Sequence, residues 1–310
     1  MTRHVVVGAG PIGSAVARQL LAEGDEVTVV TRSGNGEAGA TKVALDATDA
    51  AGLSAVAAGA ATIVNCANPP YHQWATLWPP LAAAMLSAAE ASGAVLVTAS
   101  NLYGYGPVDG PMAPATPLAP TGAKGQVRVQ MWQDALAAHR AGRVHAVEVR
   151  GSDYIGPHSE SHFERVLPTA LAGKTARVVG DPDAPHSWTY TEDMAATLVA
   201  VAKDERTWGR AWHAPCTAVA SQREALTQAC EIAGVAAPKV VGLPGWQMTM
   251  AGWFSPTIRE VGEVAYQFQM PFISDDSETR EVLGVASTPW PEVLAASVLA
   301  VSVPAASVST

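Results

Sequence analysis

Three glycines near the N-terminus have a spacing that implies ligand chemistry. Gly8, Gly10 and Gly13 form a G-x-G-x-x-G pattern, directly after three valines and before an Ala-rich stretch. Between a strand and a helix, the first glycine permits a tight turn, the second admits a pyrophosphate, and the third allows close helix–strand packing. The pattern therefore predicts a dinucleotide site that includes Pro11 and Ile12 at the helix start. The alternative is a tight strand–helix turn without a ligand.

The end of the second predicted strand indicates which dinucleotide is bound. An NAD-specific site has an acidic residue there, which binds the ribose 2′-hydroxyl. This sequence has Arg32 and Ser33 instead, 19 and 20 residues after Gly13. They favour NADP, because a guanidinium makes charge-assisted hydrogen bonds to a phosphate; a solvated surface arginine is the alternative. Asp46 ends the third predicted strand and is placed either to contact the adenine or to cap the next helix.

Short β-branched runs alternate with Ala-rich stretches through the first half of the chain. This pattern predicts βαβ units and a doubly wound parallel sheet. The predicted strands are residues 4–7, 26–31, 42–45, 62–66, 95–99 and 144–149, and the predicted helices are residues 12–23, 50–58, 77–91 and 123–141. We expect a Rossmann-type α/β fold in which residues 1–155, with a return segment at about 186–204, bind the dinucleotide. Residues at about 156–185 and 205–310 are expected to form a smaller C-terminal substrate lobe.

A stretch rich in glycine and proline, residues 103–120, is predicted to be a loop without regular structure. It follows the carboxyl end of the fifth predicted strand, where open α/β sheets bind their ligands. Long loops inside compact domains are usually functional. We therefore expect this loop to form a wall of the active site.

The composition excludes several classes of protein. The 310 residues are 48% hydrophobic and 15% charged, which is typical of a compact globular protein. With 28 acidic against 19 basic residues and no cluster of Lys or Arg, neither nucleic acid nor an anionic membrane surface is an expected partner. The three cysteines lack C-x-x-C spacing, so we predict neither a disulfide framework nor a zinc site. A reducing cytoplasm fits this cysteine usage.

Membrane and metal sites are also not predicted. The N-terminus leads at once into the first strand, and the apolar residues 294–303 are far fewer than the roughly 20 that span a bilayer. His158, Glu160, His162 and Glu164 lie close together but fit no metal-binding motif. We interpret them as a polar loop and the start of a helix.

Three later segments, together with the glycine pattern, carry a family resemblance. They are residues 97–104 (Val-Thr-Ala-Ser-Asn-Leu-Tyr-Gly), 150–157 with their final Gly-Pro, and 186–194. In this order they resemble the extended short-chain dehydrogenase/reductase superfamily, which includes nucleotide-sugar epimerases and dehydratases, over nearly the whole chain. The resemblance implies a nicotinamide cofactor with Ala67 and Asn68 on its adenosine side. It also implies a homodimer formed through helices that flank the fourth to sixth strands.

The chain departs from this family at the catalytic positions. The family's general acid is a Tyr four residues before a Lys; Lys124 fits the lysine, but position 120 is Pro120. The usual catalytic Ser position falls on Ala99. The sequence therefore resembles the atypical members, in which the nucleotide site remains and the chemistry is altered, relocated or lost.

The resemblance still implies a role for Lys124, which would bind the nicotinamide ribose and lower the pKa of a nearby hydroxyl. Tyr103, Tyr105 and Tyr154 are candidates for the missing acid, with Tyr103 preferred, since a phenol can protonate a carbonyl oxygen. The alternative is that Tyr103 packs under the loop. Ser100 is expected to hydrogen-bond the substrate oxygen, or else to satisfy a backbone group. Asp153 is a further candidate for a polar group near the nicotinamide, and a turn residue is the alternative.

Aromatic residues suggest the kind of substrate. Nine tryptophans occur against four phenylalanines, and aromatic walls suit an apolar molecule better than a sugar nucleotide. The tryptophans considered for such a wall are Trp74, Trp78, Trp208, Trp212, Trp246, Trp253 and Trp290; packing in the core is the alternative. We expect an NADP(H)-dependent oxidoreductase acting on a carbonyl or activated double bond of a small apolar molecule. The alternatives are an NAD(P)-dependent epimerase or dehydratase of a sugar nucleotide, and a non-catalytic NADP-binding sensor.

Overall fold

A parallel sheet of seven strands forms the centre of the protein in the computed structural model, which describes residues 1–159, 161–243 and 262–302. The described strands are β1 (Arg3–Val7), β2 (Glu26–Thr31), β3 (Thr41–Ala44), β4 (Thr62–Asn65), β5 (Val95–Asn101), β6 (Ala146–Gly151), β7 (Asp153–Ile155), β8 (Ala176–Val179), β9 (Ser187–Tyr190), β10 (Ala211–His213), β11 (Ala218–Val219) and β12 (Val240–Leu243). The central sheet has the order β10-β6-β5-β4-β1-β2-β3, with every pair parallel. The chain thus forms the predicted Rossmann-type doubly wound sheet.

Helices cover both faces of this sheet. The described helices are α1 (Pro11–Ala22), α2 (Ala50–Ala57), α3 (Trp74–Ser92), α4 (Ala123–Arg140), α5 (His162–Leu171), α6 (Thr191–Lys203), α7 (Gln222–Ile232), α8 (Ser277–Leu283) and α9 (Trp290–Ser302). Because both faces are covered, strand β1 is a continuous apolar run, and Val5, Val6 and Val7 are at most 2% exposed. One apolar core lies between the sheet and α2, α3 and α4, and a second lies between the sheet, α1 and α6.

The predicted strands and helices lie within two residues of the observed bounds, except at the start of one helix. A seventh strand, β10, pairs with β6 at the sheet edge; it lies in the range 205–310 that is expected to belong to the second lobe. Helix α3 begins at Trp74 rather than near residue 77 and contains Pro79 and Pro80. The earlier start is favoured because Trp74 and Trp78, which share a face of the helix, are both buried.

Apart from α6 and β10, the described chain after β6 forms smaller sheets and a separate core. Strands β11, β9 and β7 make one sheet, and β12 pairs with β8 in another. Helices α5, α7 and α9 enclose a third apolar core with Trp188, Phe163 and Leu226. The return segment contains α6, which packs against α1. The boundaries of the two lobes stay a prediction.

The loop at residues 103–120 differs from its predicted role. Its first residues continue a 3-10 helix at Leu102–Tyr105, and Met112 then forms an isolated bridge with Ser274. Tyr105 and Met112 are fully buried against Phe272. Tyr105 and Met112 therefore pack on the later part of the chain, and within residues 103–120 only Tyr103 lines the large cavity described below.

Cys66, Cys216 and Cys230 are free thiols. In the described part of the chain, every helix is too short or too polar to cross a bilayer.

Substituting Gly13 should test the turn between β1 and α1. A Cβ atom at Gly13 would lie 2.1 Å from the carbonyl oxygen of Gly8, which is backbone and cannot move away. We expect Gly13→Ala to lower the free energy of unfolding by about 1–3 kcal/mol, which urea denaturation measures. Gly10→Ala is the matched control, since no atom lies within 4 Å of a Cβ there, and it should stay within about 0.5 kcal/mol of the parent protein. Equal stability of the two variants would contradict this account.

Candidate active site

One large cavity runs along the carboxyl edge of the central sheet. It has a volume of about 1240 Å³ and extends from the ends of β1, β2 and β3 to the ends of β5 and β6. Part of its wall comes from α3, α5 and the segment from Val264 to Phe272. Ligands of open α/β sheets bind at this edge, next to the point where the strand order reverses. Here that point lies between β1 and β4.

The glycine turn forms one end of the cavity. Gly8 has φ +101°, and a Cβ there would lie 2.7 Å from the carbonyl oxygen of Cys66, so only glycine fits. Gly10 is the N-cap of α1 and has open space where a side chain would be, so a ligand can approach the backbone. Nine predicted cofactor residues line the cavity, namely Gly8, Gly10, Pro11, Ile12, Arg32, Ser33, Asp46, Ala67 and Asn68. Gly13 does not line it, because this residue packs against Gly8.

Arg32 and Asp46 line the end of the cavity that lies at β2 and β3. Oδ1 of Asp46 accepts hydrogen bonds from the amide and the hydroxyl of Thr48, at 3.0 and 2.8 Å. These bonds, helped by the charge of Arg32, lower the pKa of Asp46. The cap of α2 itself is Asp49, which accepts from the amide of Gly52. Asp46 therefore stabilises the turn before α2 and also faces the cavity.

Lys124 lies next to the cavity without lining it. Its side chain is 2% exposed, and its Nζ lies 3.0 Å from Oε2 of Glu263, while Oε1 accepts the backbone amide of Lys124 at 2.7 Å. The ammonium also lies 4.7 Å from the centre of the Tyr71 ring. Direct binding of a ribose by Lys124 stays a prediction, since the described contacts of its ammonium are with Glu263 and Tyr71.

The tyrosines proposed as acids occupy three different environments. The hydroxyl of Tyr103 faces the cavity and accepts a hydrogen bond of 3.2 Å from Tyr71. Tyr154 also lines the cavity, but its hydroxyl donates to the carbonyl oxygen of Ser100 at 2.7 Å. Tyr105 lies outside the cavity with its hydroxyl 2.7 Å from Nε2 of His213. Ser100 lines the cavity beside these groups.

Burial and neighbouring charge make the phenols poor bases. Burial, reinforced by the negative charge of Asp153, raises the pKa of Tyr103 to about 12. Burial also raises the pKa of Tyr154, and it raises the pKa of Tyr71 further, where Tyr103 and its hydrogen bond add to the effect. All three phenols are therefore neutral near pH 7. Tyr71 and Tyr154 already donate their protons within the protein, whereas Tyr103 accepts from Tyr71 and can donate its own proton to a ligand.

Sequence reasoning missed Arg128, which lies one helical turn after Lys124. The guanidinium is buried over the rings of Trp74 and Trp78, at 4.6 and 4.4 Å from their centres. Its Nη1 donates to the carbonyl oxygen of Ala99 at 3.3 Å, at the position where the family has its catalytic Ser. The spacing of four residues from Lys124 was a signal for this placement, because it puts both cations on one helix face.

Sequence reasoning also missed a pair formed by Asp153 and His186. The imidazole Nε2 of His186 lies 2.6 Å from Oδ2 of Asp153, and its Nδ1 lies 3.1 Å from the carbonyl oxygen of Gln267. The ring stacks between Phe268 and Phe272. Asp153 lines the cavity, while His186 is 1% exposed behind it. The two residues are 33 positions apart, so the spacing alone gave no signal.

His162 also lines the cavity near this end. Its Nε2 accepts the backbone amide of Val179 at 3.1 Å, which requires a neutral nitrogen there. Burial lowers the pKa of His162 to about 4. Among the described residues, no group of three or more His, Cys, Asp or Glu is placed to hold a metal ion. Glu160, considered beside His162 in the sequence, lies outside the described residues.

The tryptophans have mixed roles. Trp74 lines the cavity, whereas Trp78, Trp188 and Trp212 are buried in the apolar cores. Trp246 and Trp253 lie outside the described residues. Phe268 and Phe272 provide the aromatic wall at the end of the cavity where β5 and β6 stop.

The fold and this cavity define a protein of the Rossmann class, with a polar cluster at the end of the cavity where β5 and β6 stop. The sequence model for the NAD dependent epimerase/dehydratase family matches residues 4–212. The chain belongs to this family. The comparison with curated protein sequences gives no match.

Solved structures with the same fold include several epimerases. A UDP-glucuronic acid 4-epimerase from Bacillus cereus, in complex with NAD, is 16% identical with a TM-score of 0.79, and the match covers 97% of both chains. A UDP-glucose 4-epimerase from Thermotoga maritima, with UDP-glucose, is 15% identical with a TM-score of 0.79, covering 96% of this chain and 98% of that one. A putative epimerase from Burkholderia cenocepacia is 19% identical with a TM-score of 0.75, covering 97% and 98%.

The buried His162 should make stability depend on pH. Its pKa is lowered from 6.5 to about 4 on folding, so between these values the unfolded chain binds more protons. The free energy of unfolding should therefore fall as the pH drops from 6.5 to 4, by up to roughly 3 kcal/mol from this group. Urea denaturation at several pH values should show a smaller fall in His162→Gln. The exposed His72 supplies the control, and His72→Gln should keep the parent profile; an unchanged profile in His162→Gln would contradict the assignment.

Proposed function

We propose that the protein binds a nicotinamide dinucleotide along this cavity and moves a hydride between it and a carbon bearing an alcohol or ketone oxygen. The continuity of the cavity carries the proposal, because it joins the turn at residues 8–12 to the cluster of Tyr71, Tyr103 and Asp153. A dinucleotide in this fold lies across the switch point with its pyrophosphate on the first turn. With the adenosine near Arg32, the nicotinamide half lies towards β5 and β6.

Family membership favours epimerisation or dehydration as the reaction class. In both, the nicotinamide is reduced and then reoxidised within one turnover, so no second oxidant is needed. The Thermotoga maritima enzyme, which has the same fold, was solved with UDP-glucose, and this supports a sugar nucleotide as the substrate class. Arg165 on α5 lines the cavity and is our candidate contact for the substrate phosphates.

Net reduction of a carbonyl in an apolar molecule is the second candidate. The aromatic wall of Trp74, Phe268 and Phe272 favours it, since aromatic rings bury apolar surface well. A sensor that binds the nucleotide without turnover is a third outcome of the test below. A cytoplasmic location, and a homodimer formed through α3 and α4, stay predictions.

Roles follow for the residues that face the nicotinamide end. We assign Tyr103 and Ser100 as hydrogen-bond donors to the substrate oxygen, since both line the cavity and a neutral phenol or hydroxyl can donate. We assign Lys124 an indirect role in the site, because its ammonium lies over the ring of Tyr71 and Tyr71 lines the cavity. Pro120 supplies no polar side chain, so the proton must move through another group.

We further propose a preference for NADP over NAD. The support is the pair Arg32 and Ser33, which line the cavity just after β2, where an acidic residue would select NAD. The guanidinium and the hydroxyl can both donate to a 2′-phosphate.

Replacing Arg32 should change the choice of cofactor. We expect Arg32→Ala to weaken NADP⁺ binding by about tenfold, the usual loss for one exposed charge-assisted hydrogen bond, with NAD⁺ binding unchanged. Isothermal titration calorimetry with each nucleotide measures both values. Arg18→Ala is the matched control, since Arg18 is half exposed on α1 and pairs with Glu192 away from the cavity. Equal losses for NADP⁺ and NAD⁺ would contradict the proposed 2′-phosphate contact.

Turnover should reveal the reaction class. The enzyme is incubated with NADP⁺ or NAD⁺ and with UDP-glucose or UDP-glucuronic acid; proton NMR then detects an epimer or dehydrated sugar, and absorbance at 340 nm detects reduced nicotinamide. We expect a new sugar product, with turnover reduced about 100-fold in Tyr103→Phe, as for the loss of one positioned hydroxyl. Oxidation of NADPH by carbonyl compounds alone would support the second candidate. Nucleotide binding without either reaction would support a sensor.

A further inference from the structure

The pair of Asp153 and His186 is built differently from an ordinary surface ion pair. Asp153, the first residue of β7, presents its carboxylate to the cavity with 17% of its side chain exposed. The ring of His186 lies between Phe268 and Phe272, whose centres are 4.7 and 5.4 Å from it, within 18° of parallel. The aromatic rings fix the imidazole plane, so its two nitrogens have fixed partners. Oδ1 of Asp153 makes no hydrogen bond with any described residue, so it is the oxygen left to meet a ligand.

Hydrogen-bond geometry determines how many protons the pair holds. The carbonyl oxygen of Gln267 can only accept, so Nδ1 of His186 must carry a proton. At 2.6 Å from Oδ2 of Asp153, Nε2 either donates its own proton or accepts one from a protonated carboxyl. A neutral imidazole facing an ionised carboxylate sets two lone pairs against each other, so the pair that has lost its proton is less stable and takes a proton up readily. The resting pair therefore holds one exchangeable proton and has no net charge.

The phenols nearby cannot replace the missing base. A tyrosine acts as a base when a neighbouring cation lowers its pKa. Here burial and the charge of Asp153 raise the pKa of Tyr103 to about 12. The ammonium that should have lowered it, on Lys124, lies against Glu263. Proton transfer near neutral pH therefore needs a carboxyl or an imidazole.

We propose that Asp153 is the general acid–base of the reaction and that His186 is its positioning residue. The inference rests on the proposed function, which supplies the nicotinamide as hydride acceptor. In oxidation, the pair has first released its proton to solvent; the alcohol O–H proton then passes to Asp153, and the C–H hydride passes to the oxidised nicotinamide. A ketone, a reduced nicotinamide and a protonated pair result. In the reverse step, the hydride returns to the ketone carbon and the pair protonates the oxygen.

Other titratable groups surround the pair and must be considered in its titration. The charge of Asp153 acts on titratable groups in four neighbouring segments of the chain and on the next residue of its own strand, β7. These groups are Tyr71, Tyr103, Tyr154, His162 and Tyr266. The phenols stay neutral, and burial lowers the pKa of His162 to about 4.

The nicotinamide itself can report this charge. Its oxidised ring is positively charged and its reduced ring is neutral. Loss of the proton gives the pair one negative charge, which attracts only the oxidised ring. By linkage, NADP⁺ should bind more tightly as the pH rises through the titration of the pair, and NADPH should not. The affinity ratio of NADP⁺ to NADPH should rise by up to about tenfold per pH unit, the limit for one linked proton.

The experiment measures both dissociation constants from pH 6 to 9, with NADP⁺ and NADPH as probes and no substrate. In Asp153→Asn, an isosteric change, the ratio should be independent of pH. Asp183→Asn is the matched control, because Asp183 is exposed, pairs with Arg223 and lies outside the cavity lining; it should keep the parent dependence. A second control is His72→Gln, which removes the exposed histidine at the cavity rim. This variant should also keep the pH dependence of the affinity ratio seen in the parent protein.

Two results would overturn the proposal. One is a pH-independent ratio in the parent protein; the other is a dependence that survives in Asp153→Asn or disappears in His72→Gln. Failure to bind either nucleotide would instead contradict the proposed function itself. Nitrogen NMR of the histidines provides a second measurement: at neutral pH, His186 should show either two protonated nitrogens or a short hydrogen bond to a carboxyl proton. An imidazole with an unprotonated Nδ1 would contradict the shared proton.

Discussion

The structure depends on the close approach of three backbone segments at the switch point of the sheet. Gly8, Gly13 and Cys66 meet there with no room for a side chain at either glycine; a Cβ at Gly13 would lie 2.1 Å from the carbonyl oxygen of Gly8, and a Cβ at Gly8 would lie 2.7 Å from the carbonyl oxygen of Cys66. This contact fixes the direction of α1 and leaves Gly10 open to a phosphate. It also sets the level at which the other strands end, because they pair in register with β1 and β4. The cavity along the carboxyl edge follows from that contact.

At the other end of the cavity, each buried charged group contacts a specific partner. With proline at position 120, the ammonium of Lys124 pairs with Glu263, brought in from the later part of the chain. The guanidinium of Arg128 lies over two tryptophans, and Asp153 pairs with His186. Buried charges are costly without partners, so each of these groups is held by a specific neighbour.

The two ends of the cavity differ in how they can be altered. The end at the glycine turn is mostly backbone, and the exposed side chains of Arg32 and Ser33 follow β2 there. The end near β5 and β6 is built from buried side chains that belong to both halves of the chain. Asp153 on β7, His186 before β9 and Gln267 in a later 3-10 helix must all be in place before one proton can be shared. Chemistry at this end is thus coupled to folding of the later segments.

The sequence by itself determined the sheet, the glycine turn and the residues at the adenosine end. These features are local: alternating apolar runs predict buried parallel strands, and Gly8 to Ile12, Arg32 and Asp46 each act next to the strand they follow. Only the tertiary structure decided the partners at the nicotinamide end. Lys124 is 139 positions from Glu263, and Asp153 is 33 positions from His186, and no local period connects them. Sequence spacing specifies neighbours along one strand or helix, whereas contacts between distant segments are set by how the elements pack.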